Sequence, residues 1–259
     1  VLFRSADELI GDTVYLDMPS VGATVNIMLV AVKAKGETII ENAAKEPEIV
    51  NLATFLNNMG AKIVGAGTTK ITVTGVEKLN KCFTEVIPDR IEAGTYLIAG
   101  ALIGENLTIK NIIPSHLDSL ISKLKEMGVN LKIGKDYITV SKPENLKPIN
   151  IKTQGYPGFP TDLQQPITTL LTQCNGASTL EETIYENRFQ NVEYLNKMNA
   201  NIDILGQKIK IYGPTELSGT TVVATDLRAG ACLVLAGLIA DGTTTITSIE
   251  DVLRGYENI

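Results

Sequence analysis

Four glycines recur along this chain at nearly even intervals, each closing an apolar helix-like run and opening a strand-like one. They are Gly36 in VAVKAKGETIIENA, Gly104 in AGALIGENLTIKNI, Gly176 in LTQCNGASTLEETI and Gly242 in AGLIADGTTTITSI, with spacings of 68, 72 and 66 residues. A period of this length is too long for an ordinary solenoid. It suits a compact α/β subdomain that must pack against its siblings to bury its apolar faces.

About twelve residues after the marker a second, amphipathic helix begins in each of the first three copies. In PEIVNLATFLNNMGAKI, residues Ile49, Leu52, Leu56 and Met59 follow helical spacing, and Gly60 stands where a left-handed C-cap is wanted. SHLDSLISKLKEMGVNL repeats this with Leu117, Leu120, Ile121, Leu124 and Gly128. NRFQNVEYLNKMNANI does so with Asn199 in the glycine slot, asparagine being the next most tolerant residue there. After each stop come short alternating strands: KITVTGV, YITVSK and KIKIYG. Each copy therefore reads as helix, strand, helix, strand pair. The fourth copy runs out at Ile259 as its second helix is due, so an incomplete C-terminus is expected. The opening VLFRS has no cap or turn logic leading into it and reads as a remnant foreign to the fold.

At 259 residues, with 44% hydrophobic and 20% charged content, the chain has material for one large or two ordinary domains with a proper core. A net charge of −6 argues against wholesale binding to nucleic acid or an anionic membrane, so a cationic site must be local. NIMLVAV and ACLVLAGLIA are too short to span a bilayer, and the start has no signal-peptide pattern. Cys82, Cys174 and Cys232 lie far apart among apolar neighbours. They suit reduced thiols in a cytoplasmic protein, with neither a disulfide framework nor zinc spacing.

The repeat also indicates which side chains share a face. Fourteen residues before the markers, where the first helices begin, stand Gly22, Arg90, Asp162 and Arg228; twelve residues after them stand Glu48, His116, Arg188 and Arg254. Equivalent positions lie at equivalent ends of their subdomains, so Asp162, Arg188, Arg228 and Arg254 are expected to gather at helix N-termini. That place suits an anion, combining unpaired backbone N–H groups with planar, bidentate guanidiniums. Three arginines to one aspartate leaves positive charge over, and the surplus fits a polyanionic ligand.

Plainer readings stand beside this one. The arginines and the aspartate form ordinary ion pairs, and Asp162, ahead of the apolar run QQPITTLL, is a helix N-cap. His116, the single histidine, shares the register of Arg188 and Arg254, yet polar residues at helix starts are commonplace. Tyr156 and Phe159 read as packing residues of their loop, and Lys33, Lys35 and Lys45 as solvated surface.

Seven stretches in order, SVGATVNIMLVAV, ENAAKEPEIV, PDRIEAGTYLIAGA, YPGFPTDLQQP, TIYENRF, TDLRAGACLVLAGL and LRGYENI, resemble the UDP-N-acetylglucosamine 1-carboxyvinyltransferase family of enolpyruvyl transferases. The likeness runs from about Asp12 to Ile259. It implies an α/β fold of two inverse barrels, each built from three repeated helix–strand subdomains and incomplete in this chain. Residues 1–88 would be a partial upper domain of one copy, and residues 89–259 a lower domain of two full copies and part of a third. The family's first third and last few dozen residues would then be absent.

The resemblance implies transfer of the enolpyruvyl group from phosphoenolpyruvate to the 3-hydroxyl of UDP-N-acetylglucosamine, with release of phosphate, as the first committed step of peptidoglycan synthesis. By the same likeness Asp162 of FPTD is the general base. Arg188 of ENRF, Arg228 of DLRA and Arg254 of RGYE hold phosphoenolpyruvate. Met18, Pro19, Ser20, Val21 and Gly22 match the loop that binds the uridine and its diphosphate. Glu46 of AKEPE matches a residue near the active site, and Ile184, with Tyr185 beside it, a contact to the nucleotide sugar. Asp89 to Thr95, DRIEAGT, falls at the crossing between domains and is implied to serve the hinge. No metal or organic cofactor is implied, and the partners are the two small-molecule substrates, with no nucleic acid and no membrane.

These residue types make physical sense for such chemistry. Arginines offset the repulsion of a ligand bearing both carboxylate and phosphate. They also pull the base's pKa down, so positioning matters more than basicity. The family's acid is a cysteine or aspartate in the absent first third. Cys82, Cys174 and Cys232 match no such motif and are expected to have no catalytic role, and the fragment alone is expected to be inactive. Two rivals remain: the enolpyruvyl transferase of the same fold that acts on shikimate 3-phosphate, and a ring-forming DNA clamp. A clamp needs a basic inner surface along its helices, whereas these arginines are expected beside a carboxylate.

Overall fold

The computed structural model describes residues 8–257, so the opening VLFRS and the final Ile259 lie outside the described residues. Two compact units divide the chain, the first ending at Ile87 and the second starting at Pro88.

The first unit runs β1 (Thr13–Tyr15), α1 (Val21–Ala31), β2 (Glu37–Glu41), α2 (Pro47–Asn58), β3 (Lys62–Val64) and β4 (Lys70–Thr74). Its sheet has the order β1-β2-β4-β3, with β1 parallel to β2 and the other pairs antiparallel. The alternation in ETIIE and KITVT turns Ile40, Ile71 and Val73 inward, where Met28, Ile49 and Leu56 of the two helices meet them.

The second unit opens with α3 (Arg90–Ile103), β5 (Glu105–Lys110), a one-turn 3-10 helix over Pro114–Leu117, α4 (Asp118–Glu126), β6 (Asn130–Ile133) and β7 (Tyr137–Ser141). Their sheet has the order β5-β7-β6. Next come β8 (Asn150–Lys152), a 3-10 turn over Thr161–Leu163, α5 (Gln164–Leu171), β9 (Gly176–Glu181), α6 (Gln190–Lys197), β10 (Asn201–Leu205) and β11 (Lys208–Gly213). The order β8-β9-β11-β10 repeats the topology of the first unit's sheet. The last copy supplies β12 (Thr221–Val223), α7 (Leu227–Ile239), β13 (Thr245–Thr247) and α8 (Glu250–Leu253), with β12 parallel to β13.

Helices α3 and α7 carry apolar residues around their whole circumference, which marks interior elements. With α5, all eight of whose residues are buried, they pack on one another at the heart of the second unit. The sheets lay one face against these helices and turn the other outward. Helices inside and sheets outside is the inverse arrangement that the family resemblance implied. Close approach is built in. A Cβ on Gly94 of α3 would lie 2.7 Å from Leu163 Cδ1, in the 3-10 turn ahead of α5.

The left-handed stops fall where the sequence placed them, at Gly60, Gly128 and Asn199, with φ of +102°, +88° and +75°. One element was not anticipated. A three-residue strand (β1, β8, β12) precedes the first helix in three copies and pairs in parallel with the strand after it, closing a βαβ crossover. TVY, NIK and TVV are too short to show alternation, so no periodicity betrays them. Among the described residues no helix is long and apolar enough to cross a membrane.

Candidate active site

Asp162 sits in the 3-10 turn over Thr161–Leu163, ahead of α5. The loop before it is anchored by buried Phe159, whose carbonyl accepts from Gln154 N at 2.9 Å, while the Tyr156 ring lies 5.7 Å from the Arg90 guanidinium. The capping reading of Asp162 is corrected by the geometry. Pro160 and Leu163 hold the N-cap positions, and the carboxylate faces two arginines instead. Capping is done by other aspartates: Asp89 accepts from Ile91 N and Glu92 N at the start of α3, and Asp226 from Arg228 N and Ala229 N at the start of α7.

Arg188 Nη2 donates to Asp162 Oδ1 at 2.7 Å, and Arg228 Nη2 donates to Asp162 Oδ2 at 3.0 Å. The arginine side chains are 17% and 16% exposed and the aspartate 37%, so the cluster is shielded but open on the carboxylate side. Burial pushes the Asp162 carboxyl up, yet the Arg228 and Arg188 charges and their hydrogen bonds outweigh it and hold it below its ordinary value of 3.8. Two guanidiniums against one carboxylate leave net positive charge. Arg188 spends a further donor on Thr161 Oγ1 at 2.6 Å and lies 4.7 Å from the Tyr185 ring.

Arg254 is placed differently from the other two. The repeat register put it at the start of a helix, but α8 begins early, with Glu250 and Asp251 in its first turn where negative charge suits the helix dipole, and Arg254 follows at its C-cap. It is exposed and, among the described residues, makes no ion pair with Asp162. Ile184 is half-buried and Tyr185 is 55% exposed, both in the segment between β9 and α6. His116 lies in the 3-10 helix ahead of α4.

In the first unit, Met18, Pro19 and Ser20 form a loop, while Val21 and Gly22 already belong to α1. Ser20 is the N-cap of that helix, its Oγ accepting from Ala23 N at 3.2 Å. Thr24 Oγ1 donates to Ser20 O and accepts from Ala44 N, tying this loop to the segment that carries Glu46. Glu46 is buried at the N-cap position of α2 without a capping bond from its side chain.

The cysteines stand apart from this chemistry. Burial pushes the thiols of Cys174 and Cys232 up to about 11, and half-buried Cys82 donates to Phe55 O at 3.8 Å. Among the described residues no group of three or more His, Cys, Asp and Glu side chains is arranged to hold a metal ion.

Sequence reasoning missed Thr161 and Glu182. Glu182 stands one residue ahead of TIYENRF and continues the inward phase of Ser178 and Leu180 on β9, so an acid on a buried strand phase was the available signal.

The chain is 55% identical over 258 residues to UDP-N-acetylglucosamine 1-carboxyvinyltransferase 2 of Geobacillus kaustophilus, a match that takes in 100% of this chain and 60% of that protein. The protein of the same name from Bacillus subtilis is 54% identical over 259 residues, with the same coverage. Thus the chain spans about 60% of the length of the curated relatives it matches. Among solved structures, the enolpyruvyl transferase NikO from Streptomyces tendae superposes with a TM-score of 0.89 at 27% identity, covering 97% of this chain and 63% of NikO. An EPSP synthase from Acinetobacter baumannii shares the fold with a TM-score of 0.72 at 22% identity, over 96% of this chain and 61% of that one. Residues 4–259 match the family description throughout, and the chain belongs to the EPSP synthase (3-phosphoshikimate 1-carboxyvinyltransferase) family.

Proposed function

We propose that this chain carries the base and the anion-binding arginines of an enzyme that transfers the enolpyruvyl group from phosphoenolpyruvate to the 3-hydroxyl of UDP-N-acetylglucosamine. The observation that carries the reading is the grip of Arg188 and Arg228 on the two oxygens of Asp162. A carboxylate held in one orientation between two cations is placed to accept a proton from an alcohol, while the same cations draw in a ligand bearing carboxylate and phosphate. As the sugar oxygen attacks the vinyl carbon, Asp162 takes its proton, and an acid on the far side protonates the methylene carbon to give a tetrahedral ketal phosphate. Loss of phosphate together with a proton from the newly formed methyl carbon then yields the enolpyruvyl ether. Cys174 and Cys232, buried and with raised pKa, are unsuited to be that acid.

In this reading Arg254 joins the phosphate-binding set when ligand is present. Met18 to Gly22 with Glu46, and Ile184 with Tyr185, contact the nucleotide sugar. Residues 1–88 belong to the upper barrel and 89–259 to the lower one, the protein works in the cytoplasm, and the product serves cell-wall synthesis. Relatives at 55% identity named for UDP-N-acetylglucosamine favour this substrate over shikimate 3-phosphate, since the A. baumannii EPSP synthase likeness at 22% identity speaks for the fold alone.

The test is sugar-dependent phosphate release from phosphoenolpyruvate by a chain extended to the relatives' length, with and without Asp162→Asn. Loss of a proton acceptor is expected to lower the rate by about 10²- to 10⁴-fold. Undiminished turnover in a folded variant would remove Asp162 as base, and turnover on shikimate 3-phosphate instead would reassign the substrate.

A further inference from the structure

Behind Arg188 lies a carboxylate that the reaction above does not use. Glu182 is 1% exposed. Its Oε1 accepts from Thr153 Oγ1 at 2.9 Å, Ile184 N at 2.8 Å and Tyr185 N at 3.2 Å, and its Oε2 accepts from Thr161 Oγ1 at 2.8 Å. Thr153 in turn accepts from Thr183 N at 2.9 Å. One buried side chain thus gathers the end of β8, the turn that carries Asp162 and the segment that leads to Arg188.

The direction of these bonds fixes a relay. Arg188 Nη1 donates to Thr161 Oγ1 at 2.6 Å, so the Thr161 hydroxyl must spend its single proton on Glu182 and offer a lone pair to the guanidinium. A hydroxyl that donates to a carboxylate is a stronger acceptor for its other partner, because each bond in such a chain polarises the next. With Nη1 held by Thr161 and Nη2 by Asp162, the Arg188 plane is clamped on two sides. We propose that Glu182 is a positioning residue that fixes the Arg188 guanidinium through the Thr161 hydroxyl, so that its remaining donors are set in advance for an anionic group.

The proposal rests on reading Arg188 as an anion-binding residue, but its first test needs no turnover. In arginine side-chain NMR of the chain, rotation of the Arg188 guanidinium is expected to be slow in the wild type. Glu182→Gln should speed it by about tenfold, the equivalent of one charge-assisted hydrogen bond, while Arg228, which has no part in the relay, stays unchanged. Thr161→Val should do the same and serves alone if Glu182→Gln does not fold. Combining the two should add nothing further, because both break one chain of contacts. An Arg188 signal indifferent to both changes, or additive effects of the pair, would overturn the relay.

In the extended enzyme, Glu182→Gln should raise KM for phosphoenolpyruvate by about tenfold and leave KM for the sugar nucleotide within twofold. An equal rise in both would mean general loosening and would sink the proposal. A wild type without turnover would defeat the functional reading while leaving the NMR result to decide the relay.

Discussion

Thr95 and Tyr256 stand 161 positions apart in the chain and share a buried hydrogen bond of 2.9 Å between their hydroxyls. Thr95 Oγ1 already donates to Ile91 O at 3.0 Å, so the Tyr256 hydroxyl is the donor of the pair. The bond fastens the segment after Arg254 to α3, the first helix of its unit. Tyr256→Phe should cost about 1 kcal/mol and lower Tm by about 2–4 °C. Thermal unfolding reads the first effect. Hydrogen exchange at Leu253 and Tyr256, whose amides bond Ile249 O and Val252 O, should quicken, and unchanged exchange would mean that the helix end is held by packing alone.

The depressed pKa of Asp162 makes a signed prediction for stability. A carboxyl whose folded pKa lies below its ordinary 3.8 contributes stability in full above that value, and the contribution fades as pH falls toward the folded pKa. The gap in unfolding free energy between wild type and Asp162→Asn should therefore be flat from about pH 7 to about pH 5 and close below about pH 4. A gap that widens on acidification would contradict the ion-paired state. Urea unfolding across that range measures it.

Thiol titration should separate the three cysteines. Cys174 and Cys232 are fully buried with pKa near 11, and Cys82 is half-buried in the first unit. An exchangeable aromatic disulfide reagent should modify one equivalent in the native chain and three in denaturant. Rapid modification of two or more natively would show that α5 or α7 opens far more readily than its packing implies.

Two glycines near helix starts should respond oppositely to alanine. Gly94→Ala places a methyl 2.7 Å from Leu163 Cδ1 and 3.2 Å from Leu120 Cδ2, and should destabilise by about 1–3 kcal/mol. Because Leu163 adjoins Asp162, the same change should weaken the Arg228 pairing. Gly22 in α1 has nothing within 4 Å of such a methyl, so Gly22→Ala should stabilise by about 0.4–1 kcal/mol. Denaturant midpoints of the two variants, compared with the wild type, check both.

Much of this architecture could be read from periodicity, because glycine and asparagine mark turns that other residues adopt at a cost. Gly60, Gly128 and Asn199 took their left-handed geometry where an amphipathic run ended. The meeting of Asp162 with Arg188 and Arg228 followed from register alone, since equivalent positions in a repeat converge in space. What escaped notice depended on contacts distant in sequence. The short parallel strands β1, β8 and β12 are defined by their neighbours, not by their own residues. Arg254 left its register because Glu250 and Asp251 moved the start of α8. Glu182 and Tyr256, which the sequence did not single out, are enclosed by partners distant in the chain.

Asp162 and Arg188 belong to one copy of the repeat and Arg228 to the next, so the carboxylate bridges two copies. The charge cluster exists only while the two copies are docked along α5 and α7. By reciprocity, an anion that prefers the docked arrangement must tighten that helix contact by the same free energy with which the contact prepares the arginines. Small flaws in packing deep between these helices would then surface first as weakened ligand affinity, well before the fold itself gave way.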